Sequence, residues 1–290
     1  KASSIFNEFS KALDAFDQRN NLLIASFGNA FFLWEIKCAI KVEKWITLYS
    51  HTIKQSLEVI TFFDAKNSLA NFCFNHPNYV FPEIVKDSSI INSQMLGHPL
   101  LNSKNRIDND FEIDKNSFLI VTGANMAGKS TFLRTISLSI VMANIGLPVC
   151  ANSFKYKPVK LITSMRTSDS LAENESYFYS ELKRLKLIVE TIQTDDYFIV
   201  LDEILKGTNS KDKASGSKKF VEKLVTLNTT GIIATHDVSL CELENDFKEI
   251  KNFFFDAKIS NNELIFDYLF KKGVCENRNA SFLLKKMKII

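Results

Sequence analysis

The residues with the most chemistry in them are Gly123-Ala124-Asn125-Met126-Ala127-Gly128-Lys129-Ser130, followed by Thr131. They satisfy the spacing G-x-x-x-x-G-K-[ST] of a phosphate-binding loop. Each part has a physical reason. Gly123 and Gly128 allow the backbone to turn tightly around phosphate oxygens, and the backbone N–H groups at the helix start then face the negative charge. Lys129 supplies a mobile cation for the β- and γ-phosphates, and the Ser130 hydroxyl is suited to ligate Mg²⁺. ATP with Mg²⁺ is therefore the expected ligand.

A second chemical unit closes an apolar run, Tyr197-Phe198-Ile199-Val200-Leu201, with Asp202-Glu203. The end of a buried strand is where an α/β sheet places its ligand site. Two adjacent carboxylates are costly there unless a cation neutralises one of them. Asp202 is expected to hold Mg²⁺, and Glu203 to orient or deprotonate the attacking water. A third run, Ile232-Ile233-Ala234-Thr235, ends in His236. A histidine at a neighbouring strand tip can reach the γ-phosphate or the lytic water. His51, His76 and His98 have no such context and read as structural.

The elements that must position these groups follow from periodicity. Phe118–Val121, Tyr197–Leu201 and Gly231–Thr235 read as buried strands. Ser130–Ala143, Glu181–Thr191 and Lys218–Leu227 read as helices between them, an alternation that predicts an α/β domain with a largely parallel sheet. Phe253–Ile259 and Leu264–Phe270 flank Asn261-Asn262 and predict an antiparallel hairpin. Asn279–Ile290 reads as a closing helix. Upstream, Phe6–Phe16, Leu22–Trp34 and a stripe of Val42, Ile46, Tyr49, Ile53, Leu57 and Ile60 predict helices, and Leu69–Phe74 continues until His76-Pro77 stops the pattern. Their aromatic residues are expected to form a bundle core. The division expected is a helical segment over residues 1–88 and the α/β domain over 89–290.

Composition limits the alternatives. Among 290 residues, hydrophobic content is 46% and net charge only +3, so no strongly basic nucleic-acid surface is announced by charge alone. Five scattered cysteines without a Cys-x-x-Cys pair suggest neither a disulfide framework nor a zinc site and fit a reducing, cytoplasmic compartment. The apolar stretch Leu22–Ile40 is broken by Asn29, Glu35 and Lys37, too soon for a membrane span. The chain starts at Lys1 without Met and is read as part of a longer protein.

The spelling of these segments resembles one family. Gly123 to Thr131, with its Asn-Met-x-Gly-Lys-Ser core, is similar to the Walker A loop of the MutS family. Leu201-Asp202-Glu203-Ile204-Leu205-Lys206-Gly207-Thr208-Asn209 looks like that family's Asp-Glu-Ile-x-x-Gly-Thr segment, and Ala234-Thr235-His236 like its Ala-Thr-His strand end. Leu96-Gly97-His98-Pro99-Leu100 is similar to the His-Pro segment that opens the MutS ATPase domain. The likeness covers roughly residues 90–290, and Phe31–Pro82 looks, more weakly, like the end of the preceding core and lever helices.

The resemblance implies an ABC-type P-loop ATPase fold that works as a homodimer, with each nucleotide sandwiched between the loop of one subunit and a signature segment of the other. Glu175-Ser176-Tyr177-Phe178-Tyr179-Ser180-Glu181 occupies the signature position, which makes Ser176 the candidate to touch the γ-phosphate in trans. By the same likeness Asn125 reaches the γ-phosphate from its own subunit, and Thr208 and Asn209 lie at the subunit interface. It also implies DNA as a partner of the full-length protein, in mismatch repair or on other DNA structures. Two departures stand out. The adenine-stacking aromatic expected upstream is replaced by Arg106-Ile107-Asp108-Asn109, where Arg106 could stack by its guanidinium plane. Phe6-Asn7-Glu8 fits a Phe-x-Glu mismatch wedge but sits in a helix without the surrounding domain, and reads as chance. A transporter-type ABC ATPase is the second expectation, weakened by the missing Leu-Ser-Gly-Gly-Gln. A non-hydrolysing ATP clamp is the third.

Overall fold

The computed structural model describes residues 2–21, 24–86, 88–165, 177–260 and 263–275. The chain separates into two compact units, Lys1–Phe74 and Asn75–Ile290. Residues 75–88 thus belong by their contacts with the α/β unit.

The first unit is helical: α1 (Ala2–Asp17), a 3₁₀ turn at Gln18–Asn20, a π turn at Ile24–Gly28, the short α2 (Asn29–Phe32) and α3 (Trp34–Asn75). Leu33 has φ 51°, a left-handed residue that ends α2 before α3 begins. The helix expected over Leu22–Trp34 is therefore broken into pieces. The two helical stretches expected after it are one helix of 42 residues, since nothing between Ile60 and Leu69 breaks the period. It stops at Asn75, ahead of Pro77, as expected.

The core of this unit is centred on Trp45, which is 4% exposed. Phe9 stacks on its ring at 3.9 Å, and its indole N–H donates to the Ile5 carbonyl at 3.0 Å. The expected bundle core is otherwise not formed among the described residues. Ile46, Leu57 and Ile60 on the predicted stripe are exposed, as are Phe31, Phe62, Phe63 and Phe74. The described contacts of α1 with α3 are made at Trp34 and Trp45, within the first third of α3. No helix among the described residues is long and apolar enough to cross a membrane.

The second unit contains two sheets. The smaller has the order β1-β5-β2-β3, from β1 (Glu83–Ile84), β5 (Ser153–Tyr156), β2 (Ser89–Leu96) and β3 (Asn109–Asp114). β2 runs antiparallel to both neighbours. The larger has the order β10-β9-β4-β8-β7-β6. Its strands are β4 (Phe118–Gly123), β6 (Lys160–Ser164), β7 (Tyr197–Asp202), β8 (Thr230–Ala234), β9 (Ile250–Ser260) and β10 (Glu263–Lys272). All pairings are parallel except β9 with β10. The predicted parallel sheet and hairpin are thus present. The hairpin tip at 261–262 and the expected helix over 279–290 lie outside the described residues.

Helices α4 (Lys129–Asn144), α5 (Tyr177–Thr191), α6 (Ser210–Thr226) and the short α7 (Leu243–Asp246) complete the unit. α4 buries Leu133, Ile136 and Ile140 completely. Ile188 of α5 and Val221 and Leu224 of α6 are equally buried, in one cluster with Ile120, Ile199, Leu201 and Ile233 of the sheet. Each such side chain removed from water stabilises the fold by about 1.5–3 kcal/mol. The central strands are apolar on both faces, as a strand covered on both sides must be. Register then decides where the polar ends fall: Val121 lies beside Ala234, and Ala234 beside Asp202. The residues that follow each strand emerge together at one edge.

Candidate functional site

At that edge the loop 123–130 connects β4 to α4. Gly123 has φ 147°, and a Cβ there would meet the Phe255 carbonyl oxygen at 2.6 Å, so the position admits only glycine. Gly128, at φ 105°, also occupies the left-handed region and lies against the Tyr268 ring. The loop wraps a cleft of about 740 Å³ lined by residues 124–132, Asp202, Glu203, His236 and others. That size suits a small-molecule site. Asn125 and Met126 are exposed, Met126 at φ 68°, whereas Ala127 is fully buried.

Lys129 is the first residue of α4 and is 7% exposed. Its Nζ donates to the carbonyls of Gly123 at 2.6 Å and Ala124 at 2.9 Å, and lies 3.4 Å from His236 Nε2. Burial pulls its pKa down to about 8, although Glu203 and Asp202 favour the charge. Burial and the Lys129 charge push the His236 pKa below its ordinary value, which keeps the imidazole neutral near pH 7. The Ser130 hydroxyl donates to Asp202 Oδ1 at 3.1 Å. This hydroxyl and carboxylate, brought together across two strands' ends, form an all-oxygen set of the kind a hard divalent cation takes.

Glu203 departs from the simplest expectation. It has φ 56°, and its N–H donates to the Ala234 carbonyl at 2.9 Å. Its carboxylate is held by Lys213 at 2.8 Å and Lys206 at 3.6 Å. Burial opposes its charge, but the Lys213 hydrogen bond and charge, with Lys206 beside it, outweigh burial and hold the carboxyl below its usual range. The carboxylate is therefore occupied by lysines that the sequence reading left without a role. Lys213 is one turn into α6, and no motif marks it.

The remaining candidates divide. Asn209 is the N-cap of α6, its side chain accepting from the Asp212 N–H at 2.9 Å. Thr208 is half-buried beside it. Ser176 lies outside the described residues. Arg106 lines the cleft, but its guanidinium is committed to Asp108 through two contacts of 2.5 and 3.0 Å. Ile107 and Tyr268 also line the cleft. Tyr268 has φ 53° at a bulge in β10, and Asn109 grips that bulge: its side chain donates to the Tyr268 carbonyl at 3.0 Å and accepts from the Phe270 N–H at 2.7 Å. Behind it Phe270 packs with Phe132, Phe253 and Phe255, which explains part of the chain's richness in phenylalanine. The sequence names Asn109 only within the Arg106–Asn109 stretch and gives no sign of its partner Tyr268, 159 residues away.

A parallel sheet with a glycine-bounded loop leading into a helix at its C-terminal edge defines the class as a P-loop α/β domain. The family described as MutS domain V matches residues 119–287. Similar relatives include a protein described as DNA mismatch repair protein MutS from Methanosarcina acetivorans, 32% identical over 261 residues, covering 86% of this chain and 28% of the relative. Another of that description, from Finegoldia magna, is 32% identical over 264 residues, covering 88% and 30%. The human MutS protein homolog 4 is 29% identical over 240 residues, covering 79% and 25%. The chain belongs to the MutS family. It spans a quarter to a third of the length of these relatives.

Proposed function

We propose that this chain is the ATP-binding and ATP-hydrolysing part of a MutS-like DNA-repair or recombination protein. The observation that carries the reading is the meeting of three strand ends at one cleft: Lys129 buried at the loop, Ser130 hydrogen-bonded to Asp202, and His236 within 3.4 Å of the Lys129 amine. Lys129 would exchange its two loop carbonyls for phosphate oxygens. Loop amides between Gly123 and Thr131 would cradle the phosphates, and Asn125, exposed at the cleft, would reach the terminal one. Ser130 and Asp202 would hold Mg²⁺, which supplies positive charge to the phosphates as they react. Glu203 would orient and deprotonate water once Lys213 and Lys206 release it, and neutral His236 would accept a hydrogen bond from that water or donate one to the terminal phosphate. Two copies would close around the nucleotide, with Ser176 contributed across the interface. The full-length protein would couple that closure to DNA, since a ligand shifts an equilibrium only by preferring one state.

The ion pairs on Glu203 favour a second reading, a clamp that binds ATP without turning it over. Glu203→Gln separates the two. Hydrolysis requires a fall in turnover of about 10²-fold with nucleotide binding intact, the contribution of a positioned general base. A chain that binds ATP with no turnover above background is the clamp, and turnover that survives Glu203→Gln removes Glu203 from the base role.

A further inference from the structure

The segment carrying Glu203 is strained and needs an external support. Within three residues, Glu203 and Leu205 both adopt left-handed φ, 56° and 59°, a conformation that strains a non-glycine residue. Such a backbone persists only where its surroundings hold it. The support comes from α5. Glu181 is a carboxylate only 4% exposed, and it spends both oxygens on this one loop: Oε1 accepts the Leu205 N–H at 2.8 Å and Oε2 accepts the Lys206 N–H at 3.1 Å. Two consecutive amides on one carboxylate form a bidentate grip, charge-assisted and directional.

The loop is also seated on α5 by shape. A Cβ at Gly207 would come within 2.9 Å of the Phe178 Cβ, so backbone meets helix with no side chain between. On the other side Leu205 fits against Gly216 of α6, where a Cβ would lie 2.7 Å from its Cδ1. α5 itself is anchored to the sheet by Arg184, whose guanidinium donates twice to the Thr163 carbonyl of β6, at 2.9 and 2.6 Å. A continuous path therefore runs from β6 through Arg184 and Glu181 to the backbone next to Glu203.

We infer that Glu181 is a positioning residue: it fixes the backbone at Leu205 and Lys206, and so sets where the Glu203 carboxylate stands relative to the strand end. Helix α5 is then the template for the hydrolytic loop. The inference rests on the reading of Glu203 as the base. It makes no claim on nucleotide affinity, because Glu181 touches neither the loop 123–130 nor Asp202 in the contacts described.

The test uses the full chain and the near-isosteric Glu181→Gln. A glutamine keeps one acceptor but turns an NH₂ donor toward the second amide. Losing a charge-assisted bond of that kind is worth about tenfold or more in kcat, with the nucleotide Kd and KM within about twofold of the unaltered chain. In a Glu203→Gln background the same change should cost no further activity, since its effect runs through Glu203. Amide hydrogen exchange at Leu205 and Lys206 should accelerate in Glu181→Gln whether or not nucleotide is present. Should Glu181→Gln fold poorly, Glu181→Asp keeps the charge with a shorter reach and should show the same kcat-selective loss. Unchanged kcat, a loss expressed in KM, or an equal loss in the Glu203→Gln background overturns the inference. If Glu203→Gln itself hydrolyses normally, the reading of Glu203 fails instead; if Glu203→Gln is impaired while Glu181→Gln is normal, only the role of Glu181 fails.

Discussion

Nucleotide binding should take up protons at mildly alkaline pH, and Lys129 is the reason. In the free chain its amine is buried against the loop and its pKa is pulled down to about 8. An incoming triphosphate brings several negative charges to that amine and returns its pKa toward the ordinary value near 10.4. At pH 8 about half the free molecules carry a neutral amine, so each binding event takes up about half a proton; at pH 7 the figure is about a tenth, and at pH 9 about nine-tenths. The apparent Kd should in turn weaken by about fivefold between pH 8 and pH 9, and little between pH 6.5 and 7.5. In the free chain burial and the Lys129 charge hold the His236 pKa below its ordinary value. Isothermal titration calorimetry at fixed pH in two buffers of different ionisation enthalpy gives the proton count directly. Equal heats in both buffers at pH 8.5, or uptake that persists in Lys129→Arg, would refute the argument.

The same group should leave a mark on stability. Lys129 has a folded pKa below its unfolded one, so above pH 8 the unfolded chain binds more protons and stability due to this residue rises with pH, levelling near pH 10.5. Comparing denaturant unfolding of the free chain with Lys129→Met should show the unaltered chain gaining about 3 kcal/mol relative to the variant across that window, while the raised pKa of Cys241 cancels between the two. A constant difference from pH 7.5 to 10.5 contradicts it. Lys129→Met should also lose nucleotide binding, read by equilibrium dialysis. For the composite site, Ser176→Ala mixed with Lys129→Ala should give activity that follows mixed dimers in which one intact site is rebuilt; activity equal to the sum of the separate variants argues against a contact in trans.

Legibility in the sequence followed how local each feature is. The loop 123–130, the Asp202-Glu203 pair and Ala234-Thr235-His236 were readable because each is a run of consecutive residues following an apolar strand. Their convergence needed only parallel pairing, which the alternation of strands and helices implied. The smaller sheet was hidden. β2 reads Ser-Ile-Ile-Asn-Ser-Gln-Met-Leu with a burial pattern that does not alternate, and β3 carries three acidic residues among six. Register shifts along their pairing explain the broken pattern. In α3 the periodicity correctly marked a helix but not a buried one, because period reports which residues share a face and not whether another element covers it. The grip of Glu181 and the lysines on Glu203 escaped for a different reason. They are contacts between helices and a loop, and no spacing rule encodes which carboxylate a lysine meets after folding.

The alignment of Val121, Ala234 and Asp202 in adjacent strands has a consequence for how this domain can vary. Side chains alternate faces along a strand, so inserting or deleting one residue within β7 would turn Asp202 away and separate it from Ser130. The same holds for β4 and the loop that leaves it. Point substitutions at the cleft can retune the chemistry one group at a time, but changes of length cannot be absorbed inside these strands. The spans from β4 through α4 and from β7 into α6 should therefore hold a constant residue count between related chains.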